Sequence, residues 1–555
     1  MKHKWIFILL ATSLLVQQCA KQTAPTGGPK DTIAPQLESS NPEKNGVNFK
    51  SDEIQLTFDE PVQLNNPREQ LIITPGVGKK FELTTRKNKV ILKLNATLQE
   101  NTTYNINFRE SIQDLTEKNP AKVKLAFSTG SYIDSLSITG HVTDVLTDQK
   151  LKNYTVAMVQ AIDTFNIFKH PASWISITDD AGKFSIENLK PGDYFLYAFE
   201  DRNKNLIVDS KTEKYGFKND NITLTKKTDS VKLSVFKLDA SNLKLLSARP
   251  TFAYFNIRTS KSLVDYKLSP ESNSEKILSV QESDLSTIKV YNTIPGLDSL
   301  QARLQASDSI GNKIDTLLYI KFAKKESTKD KFSVNIESPT LNEHKSLLTA
   351  TVHYSKPVID FNTDSIYIQV DSVNRITFSK NDFTWNTQLT KLSIRKKLDA
   401  ISKPPVAQPT QKSGGRMLQE KKNENFVLTK GSALSVEGDT IIRASTPVKK
   451  IIAEELASVS VKIQTKENFI LQLLDKNYKL IEESANIKNH IFENITPGTY
   501  FMRIIIDVNK NGKWDAGNYK NRTQPEPIVY YTNPKGGKDI YLKANWQVGD
   551  LLISY

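Results

Sequence analysis

Glu187 to Asp209, ENLKPGDYFLYAFEDRNKNLIVD, and Glu493 to Asp515, ENITPGTYFMRIIIDVNKNGKWD, are one pattern written twice, 306 residues apart. Without a gap they share Glu, Asn, Pro, Gly, Tyr, Phe, Asp, Asn, Lys, Asn and Asp. Each copy predicts a tight turn at Pro191-Gly192 or Pro497-Gly498, then a strand (Tyr194 to Phe199, Tyr500 to Ile506) rich in aromatic or β-branched residues. Each strand ends in a polar, Asx-rich loop. A weaker echo lies upstream of each copy: FDEPV at Phe58 to Val62 and YSKPV at Tyr354 to Val358, spaced by 296. Two echoes at nearly one spacing predict a duplicated pair of β-domains in an all-β chain of tandem, elongated β-sandwich modules.

Composition sets the bounds. The 555 residues are enough for three to five domains. With 38% hydrophobic and 25% charged residues the chain can bury ordinary cores. The single cysteine, Cys19, excludes an internal disulfide framework, so packing and strand pairing must hold the folded part. The balance of 75 Lys+Arg against 61 Asp+Glu gives +14. No basic run is interleaved with aromatics, so the charge reads as a lysine-rich soluble surface rather than a nucleic-acid groove.

The amino terminus addresses the compartment. Met1 to Lys4 is short and basic, and Trp5 to Val16 is a twelve-residue apolar run. That is too short to span a bilayer and right for a signal h-region. Cys19 follows, then a Pro/Gly/Thr-rich stretch, AKQTAPTGGPKDTIAP, that reads as a tether. Cys19 in this setting resembles the lipid-attachment cysteine of bacterial lipoproteins. The order cysteine, spacer, GGPKDT, β-domain resembles a family of Bacteroidota envelope lipoproteins. The resemblance implies residues 1–18 as signal peptide, 19–34 as lipidated tether, and an outer-membrane lipoprotein whose membrane face is open.

Residues 35–130 predict an Ig-like sandwich. Ile54, Leu56 and Phe58 alternate with polar residues, as do Val90, Leu92, Leu94 and Tyr104, Ile106, Phe108. Pro35, Leu37, Pro42 and Gly46 followed by LTFDEPV resemble the bacterial Ig-like domain of S-layer and envelope proteins. Residues 135–240 carry Gly140, Val142, Asp144, Thr178, Asp179, Gly182, Phe184, Leu189, Pro191, Gly192 and Tyr194. This set resembles the carboxypeptidase-regulatory-like or transthyretin-like sandwiches related to Cna-B modules, usually non-catalytic. Asp179-Asp180-Ala181-Gly182 predicts a hairpin turn. Residues 241–323 read as a third β-sandwich with a hairpin at Asp308, Gly311 and Asn312. Residues 332–449 read as a second Ig-like copy, broken by a Pro/Ser/Gly/Lys excursion over 400–425 expected to be disordered. Residues 455–555 read as the second transthyretin-like copy, without the TDDAG turn.

Asp201, Asn203, Asn205 and Asp209, and again Asp507, Asn509, Asn511 and Asp515, place oxygen side chains at relative positions 1, 3, 5 and 9. Calcium takes six to eight oxygens, so this spacing marks a candidate Ca²⁺ loop, the sole cofactor indicated. Against it, each loop holds two carboxylates and lacks Glu at position 12; Asx-rich turns are also sound structural loops. The six histidines are scattered without zinc spacing, and there is no GxSxG, P-loop or dinucleotide fingerprint. Phe165, Phe168, Trp174, Trp514 and Tyr519 fit core or interdomain packing better than glycan stacking.

The expectation is a non-enzymatic, lipid-anchored envelope scaffold. Its partners are the outer membrane through Cys19 and other envelope proteins or surface glycans, not nucleic acid. The alternatives are an accessory subunit of an outer-membrane assembly or transport complex, and a glycan-processing enzyme, which would need two converging carboxylates.

Overall fold

Alternating apolar residues build the two faces of every core. In the first module Ile54, Leu56, Phe58, Val90, Leu92 and Leu94 from one sheet meet Tyr104, Ile106, Phe108, Leu125 and Phe127 from the other, all buried. Each such side chain contributes about 1.5–3 kcal/mol relative to exposure. The computed structural model describes residues 31–78, 80–162, 164–271, 277–293, 299–323, 328–343, 345–398, 424–451 and 453–555. Cys19, the expected signal peptide at residues 1–18, and all but the last two residues of the 400–425 excursion lie outside them. The described chain is all-β, with helical geometry confined to one turn at Pro67–Gln70 and three 3-10 turns.

The strands gather into five sandwich modules. In the first, Leu37–Asn41, Glu53–Phe58, Lys89–Leu94 and Phe81–Arg86 form one sheet. Ile72–Thr74, Thr103–Asn107 and Lys124–Ser128 form the other, and Val62–Leu64 pairs Ile112–Asp114. The fourth module repeats this plan: Val334–Asn342, Leu347–Tyr354, Lys391–Lys397 and Phe383–Trp385 in one sheet, and Ile366–Gln369, Asn425–Leu428 and Ala444–Pro447 in the other. Val358–Phe361 pairs Ala433–Ser435 as the third piece. The FDEPV and YSKPV echoes occupy equivalent places, with Phe58, Val62, Tyr354 and Val358 in their cores. Their third residues differ. Glu60 is half-buried, whereas Lys356 is fully buried and bonded to Glu437 and Asp439, each at 2.6 Å.

In the second module Leu136–Asp144 lies between Lys183–Leu189, antiparallel, and Thr228–Lys237, parallel. Thr228–Lys237 also pairs Lys214–Phe217, so a single eight-stranded sheet folds over on itself. Gly140 stands where the parallel neighbour crosses: a Cβ there would meet the Val231 carbonyl oxygen at 2.0 Å. The fifth module has the same plan, Ala457–Gln464 lying between Asn489–Ile495 (antiparallel) and Gln547–Ser554 (parallel). The Pro-Gly turn is tied identically in both copies. Tyr194 Oη donates to the Lys190 carbonyl (3.0 Å) and Tyr500 Oη to the Thr496 carbonyl (2.7 Å).

One expectation is corrected. Asp179–Gly182 does form a tight turn, with Gly182 N–H donating to the Asp179 carbonyl at 2.9 Å. It does not close a hairpin, because Trp174–Ile177 pairs Thr155–Gln160 while Lys183–Leu189 pairs Leu136–Asp144. It is a corner carrying the chain from one layer to the other. A turn motif records local backbone geometry, and both outcomes use the same turn.

The third module packs Leu245–Thr251, Tyr254–Thr259, Thr287–Val290 and Ser279–Gln281 on Asp265–Pro270, Leu300–Ser307 and Lys313–Ile320. Its hairpin closes at Asp308–Asn312, Gly311 taking φ +82°.

Candidate functional site: the repeated Asx loops and the interface between repeats

Both Asx loops are held by the same bonds. Asp201 Oδ1 and Oδ2 accept from Asn205 N–H (3.0 Å) and Leu206 N–H (3.2 Å), and Asn203 Oδ1 also accepts from Asn205 N–H (3.1 Å). Asn205 Oδ1 accepts from Ile207 N–H at 2.8 Å. In the C-terminal copy Asp507 accepts from Asn511 and Gly512 N–H (3.0 and 2.9 Å), Asn509 from Asn511 N–H (3.1 Å) and Asn511 from Lys513 N–H (2.8 Å). Leu206 stands where Gly512 stands and takes the same left-handed geometry, φ +62° against +74°. Asp209 accepts from Lys211 N–H (3.0 Å) and the Thr212 hydroxyl (2.8 Å); Asp515 accepts from the Asn509 and Asn511 amides. The repeated oxygens thus satisfy backbone donors that a tight loop would otherwise leave unpaired.

A third carboxylate in each loop escaped the sequence. Glu213, fully buried, accepts from Arg202 N–H (3.0 Å) and Asp209 N–H (2.8 Å). Burial pushes its carboxyl above the usual range, against the bonds from those two N–H groups. Glu526 does the same for Val508 N–H (2.8 Å) and Asp515 N–H (3.0 Å). The two glutamates are invisible as a pair because their spacing differs. Four positions separate Asp209 from Glu213 and eleven separate Asp515 from Glu526, so the C-terminal copy carries seven more. Among the described residues no three His, Cys, Asp or Glu side chains converge as a metal site. A cation in either loop would therefore draw on the Asn oxygens as well.

The extra residues, with Trp514 just before them, are the docking element between the repeats. Tyr519 sits edge-on to Phe168 (5.0 Å) and Phe217 (5.2 Å), and Trp514 edge-on to Phe236 (5.5 Å). The Arg522 guanidinium lies 3.9 Å over the Phe195 ring, a cation–π contact. Gln524 Nε2 donates to the Phe217 carbonyl (2.8 Å), and Asn518 Nδ2 reaches the third module at the Ile310 carbonyl (3.1 Å). In return, the second module's loop meets the fifth module's sheet. Arg503 and the Tyr530 hydroxyl both donate to the Leu146 carbonyl, and Lys538 pairs Asp148 at 2.5 Å. Burial opposes ionisation of Asp148, but Lys232 and Lys538 outweigh it and hold the carboxyl below its usual range.

This docking explains why Gly192–Phe199 is apolar on both faces. Tyr194, Leu196 and Ala198 point into the sandwich core, while Phe195, Tyr197 and Phe199 form a second cluster with Ala516 of the fifth module. A strand buried on both sides reads as a continuous apolar run. Phe165, Phe168, Trp514 and Tyr519 belong to this contact, and Trp174 packs on Tyr194.

The chain is thus a string of β-sandwiches in which two plans each occur twice. Residues 31–129, the first module, match the model of a bacterial Ig-like domain. Residues 141–245, within and just beyond the second, match the model of a family described as an uncharacterized protein conserved in bacteria. No curated protein matches the chain. Among solved structures, the major pilin subunit of Bacillus cereus is 11% identical, covering 76% of this chain and 99% of its own, with a TM-score of 0.13. Domains 1–6 of a surface-layer protein are 10% identical over 93% of this chain and 67% of theirs, TM-score 0.14. A streptococcal ancillary pilin is 11% identical over 45% and 81%, TM-score 0.16.

Proposed function

We propose that this chain is a non-catalytic, lipid-anchored cell-envelope scaffold that presents its modules to other envelope proteins or to surface glycans. The supporting observation is how the repeated polar and aromatic residues are employed. The oxygens of both Asx loops hold their own backbone, and the aromatics beside them clamp the fifth module to the second. Both uses serve to fix the modules in one arrangement. Cys19 supplies the anchor after export, as its lipoprotein-like setting implies, and places the protein at the outer membrane. Among the described residues no helix is long and apolar enough to cross a membrane.

The test is affinity capture of the full chain from gently solubilised envelope, wild type beside Cys19→Ser. Membrane retention of the wild type and release of the variant are expected. A defined partner set that disappears with Cys19 makes the chain an accessory subunit of an assembly or transport complex. Release of new ends from an envelope polymer by the purified chain would overturn the non-catalytic reading.

Calcium binding in the two loops is a second proposal, motivated by the identical oxygen spacing and identical backbone clamp in both copies. The melting temperature should rise on adding Ca²⁺ after EGTA treatment, by about 2.7 kcal/mol of stabilisation at a hundredfold excess over Kd. Asp201→Asn with Asp507→Asn should abolish the rise. An unchanged melt in the wild type would remove calcium from the account.

A further inference from the structure

The first and second modules touch where Gly76 N–H donates to the Ser173 carbonyl (2.7 Å) and Asn105 Nδ2 to Asn188 Oδ1 (3.1 Å). Beside these contacts lies an open cleft of about 1100 Å³. One wall is the outer face of the first module's three-stranded sheet. There Ile72, Asn107 and Lys124 stand in register, with Lys122 and Arg109 beside them. The other wall belongs to the second module, where Lys183 pairs His141 in register and Lys150 and Lys152 lie near.

Basic residues thus face each other across the cleft. Lys152 pairs with Asp180 at 2.5 Å, but the other four lysines and Arg109 make no ion pair among the described residues. The four acidic residues of the lining are partly engaged. Asp180 holds Lys152, Asp179 accepts the Ala181 and Lys183 N–H groups, and Glu187 accepts the Ser185 hydroxyl. Burial, and after it the nearness of Lys232 and Lys150, holds the His141 imidazole below its usual pKa, with Asp148 opposing.

We infer that this cleft binds an acidic polysaccharide, a sugar polymer bearing carboxylate or similar anionic groups along its length. The inference rests on the reading of the chain as a binding scaffold and names the partner class. A polymer fits because the trough is open and larger than pockets that enclose a small ligand. An anion is favoured because the five lysines and Arg109 of the lining outnumber its four carboxylates, three of which are already engaged. Asn105, Asn107, Thr139 and Ser185 supply amide and hydroxyl groups suited to sugar hydroxyls. Nucleic acid fits worse, since base stacking needs exposed aromatic faces and the one aromatic in the lining, Phe184, is buried. An added peptide strand also fits worse: on the edge strand Lys183–Leu189, Ser185 N–H already donates to Ser176 Oγ at 3.3 Å.

The test is co-sedimentation of the full chain with polygalacturonate, with uncharged dextran and a single-stranded 20-mer DNA as controls. Wild type should bind polygalacturonate at low salt, release it as salt rises, and leave dextran and DNA largely free. Lys122→Glu, Lys124→Glu and Lys183→Glu together should weaken binding about tenfold or more. Lys391→Glu, Arg395→Glu and Lys397→Glu, the same charge change on the exposed face of a fourth-module strand, should leave it intact. Glutamine at the three cleft positions carries the test where charge reversal lowers the melting temperature. Equal weakening by both triple variants, equal affinity for DNA, or no low-salt binding by wild type overturns the cleft assignment. None of these touches the scaffold reading, which falls instead if the chain cleaves the polymer.

Discussion

Replacing Lys261 with methionine is expected to cost about 3–5 kcal/mol of unfolding free energy, the range for breaking one partner out of a buried ion pair. Lys261 Nζ lies 2.6 Å from Asp308 Oδ2, and the two side chains are only 6% and 1% exposed. The same ammonium donates to the Asp239 and Ser241 carbonyls at 2.7 and 3.0 Å, pinning the segment that joins the second and third modules. Methionine keeps the bulk of the chain but leaves the Asp308 carboxylate facing a thioether. Lys261→Met with Asp308→Leu should recover much of the loss, because both charges then leave together. Chemical denaturation of the three proteins decides it. A single variant as stable as wild type would show that the pair contributes nothing.

The pair also sets an acid limit. Burial opposes ionisation of Asp308, but Lys261 and the Asn312 and Ile310 donors prevail and hold its carboxyl below the ordinary 3.8. A depressed folded pKa stabilises above the unfolded value, and the stabilisation disappears as pH falls through the folded one. Stability should therefore decline from about pH 4 downward, and less steeply in the double variant. Denaturant midpoints across that window read it directly.

Tyr519→Ala is expected to release the fifth module from the second. The ring makes edge-on contacts with Phe168 and Phe217, and its hydroxyl accepts from Ile167 N–H at 3.4 Å. Deleting a fully buried aromatic costs about 3–5 kcal/mol, and the half-buried Tyr519 should cost roughly 2–4. That is enough to shift a docking equilibrium by more than tenfold. The radius of gyration from solution scattering should rise, and the segment joining the fourth and fifth modules should become protease-sensitive. Tyr541→Ala, at a 56% exposed site in the same module, should do neither. A compact Tyr519→Ala protein would mean that the reciprocal contacts at Leu146 and Asp148 suffice.

Much of the architecture was legible from periodicity. Alternation in Ile54–Phe58 and Val90–Leu94 identifies sandwich strands because side chains on a strand face opposite ways by geometry. The repeat of ENxxPGxYF identifies two copies of one turn, since only a narrow set of residues fits it. The Asx loops were legible as loops, and their N–H acceptors follow from Asp and Asn chemistry. Glu213 and Glu526 were not legible, because their place in the clamp depends on chain that returns after unequal detours. Lys356 gave no sign in YSKPV of being buried, since its carboxylates arrive from Glu437 and Asp439, some eighty residues on.

The sequence by itself determined the all-β, tandem-sandwich class, the duplication and the sites of the tight turns, all of which rest on patterns within short stretches of chain. Tertiary structure alone decided which strands the Asp179–Gly182 turn would join, which lysines would be buried, and that seven extra residues after Asp515 would fasten the last module onto the second. Those outcomes depend on surfaces hundreds of residues apart meeting in space. No local pattern encodes such a meeting, because its free energy belongs to the pair of surfaces and to neither stretch of chain alone.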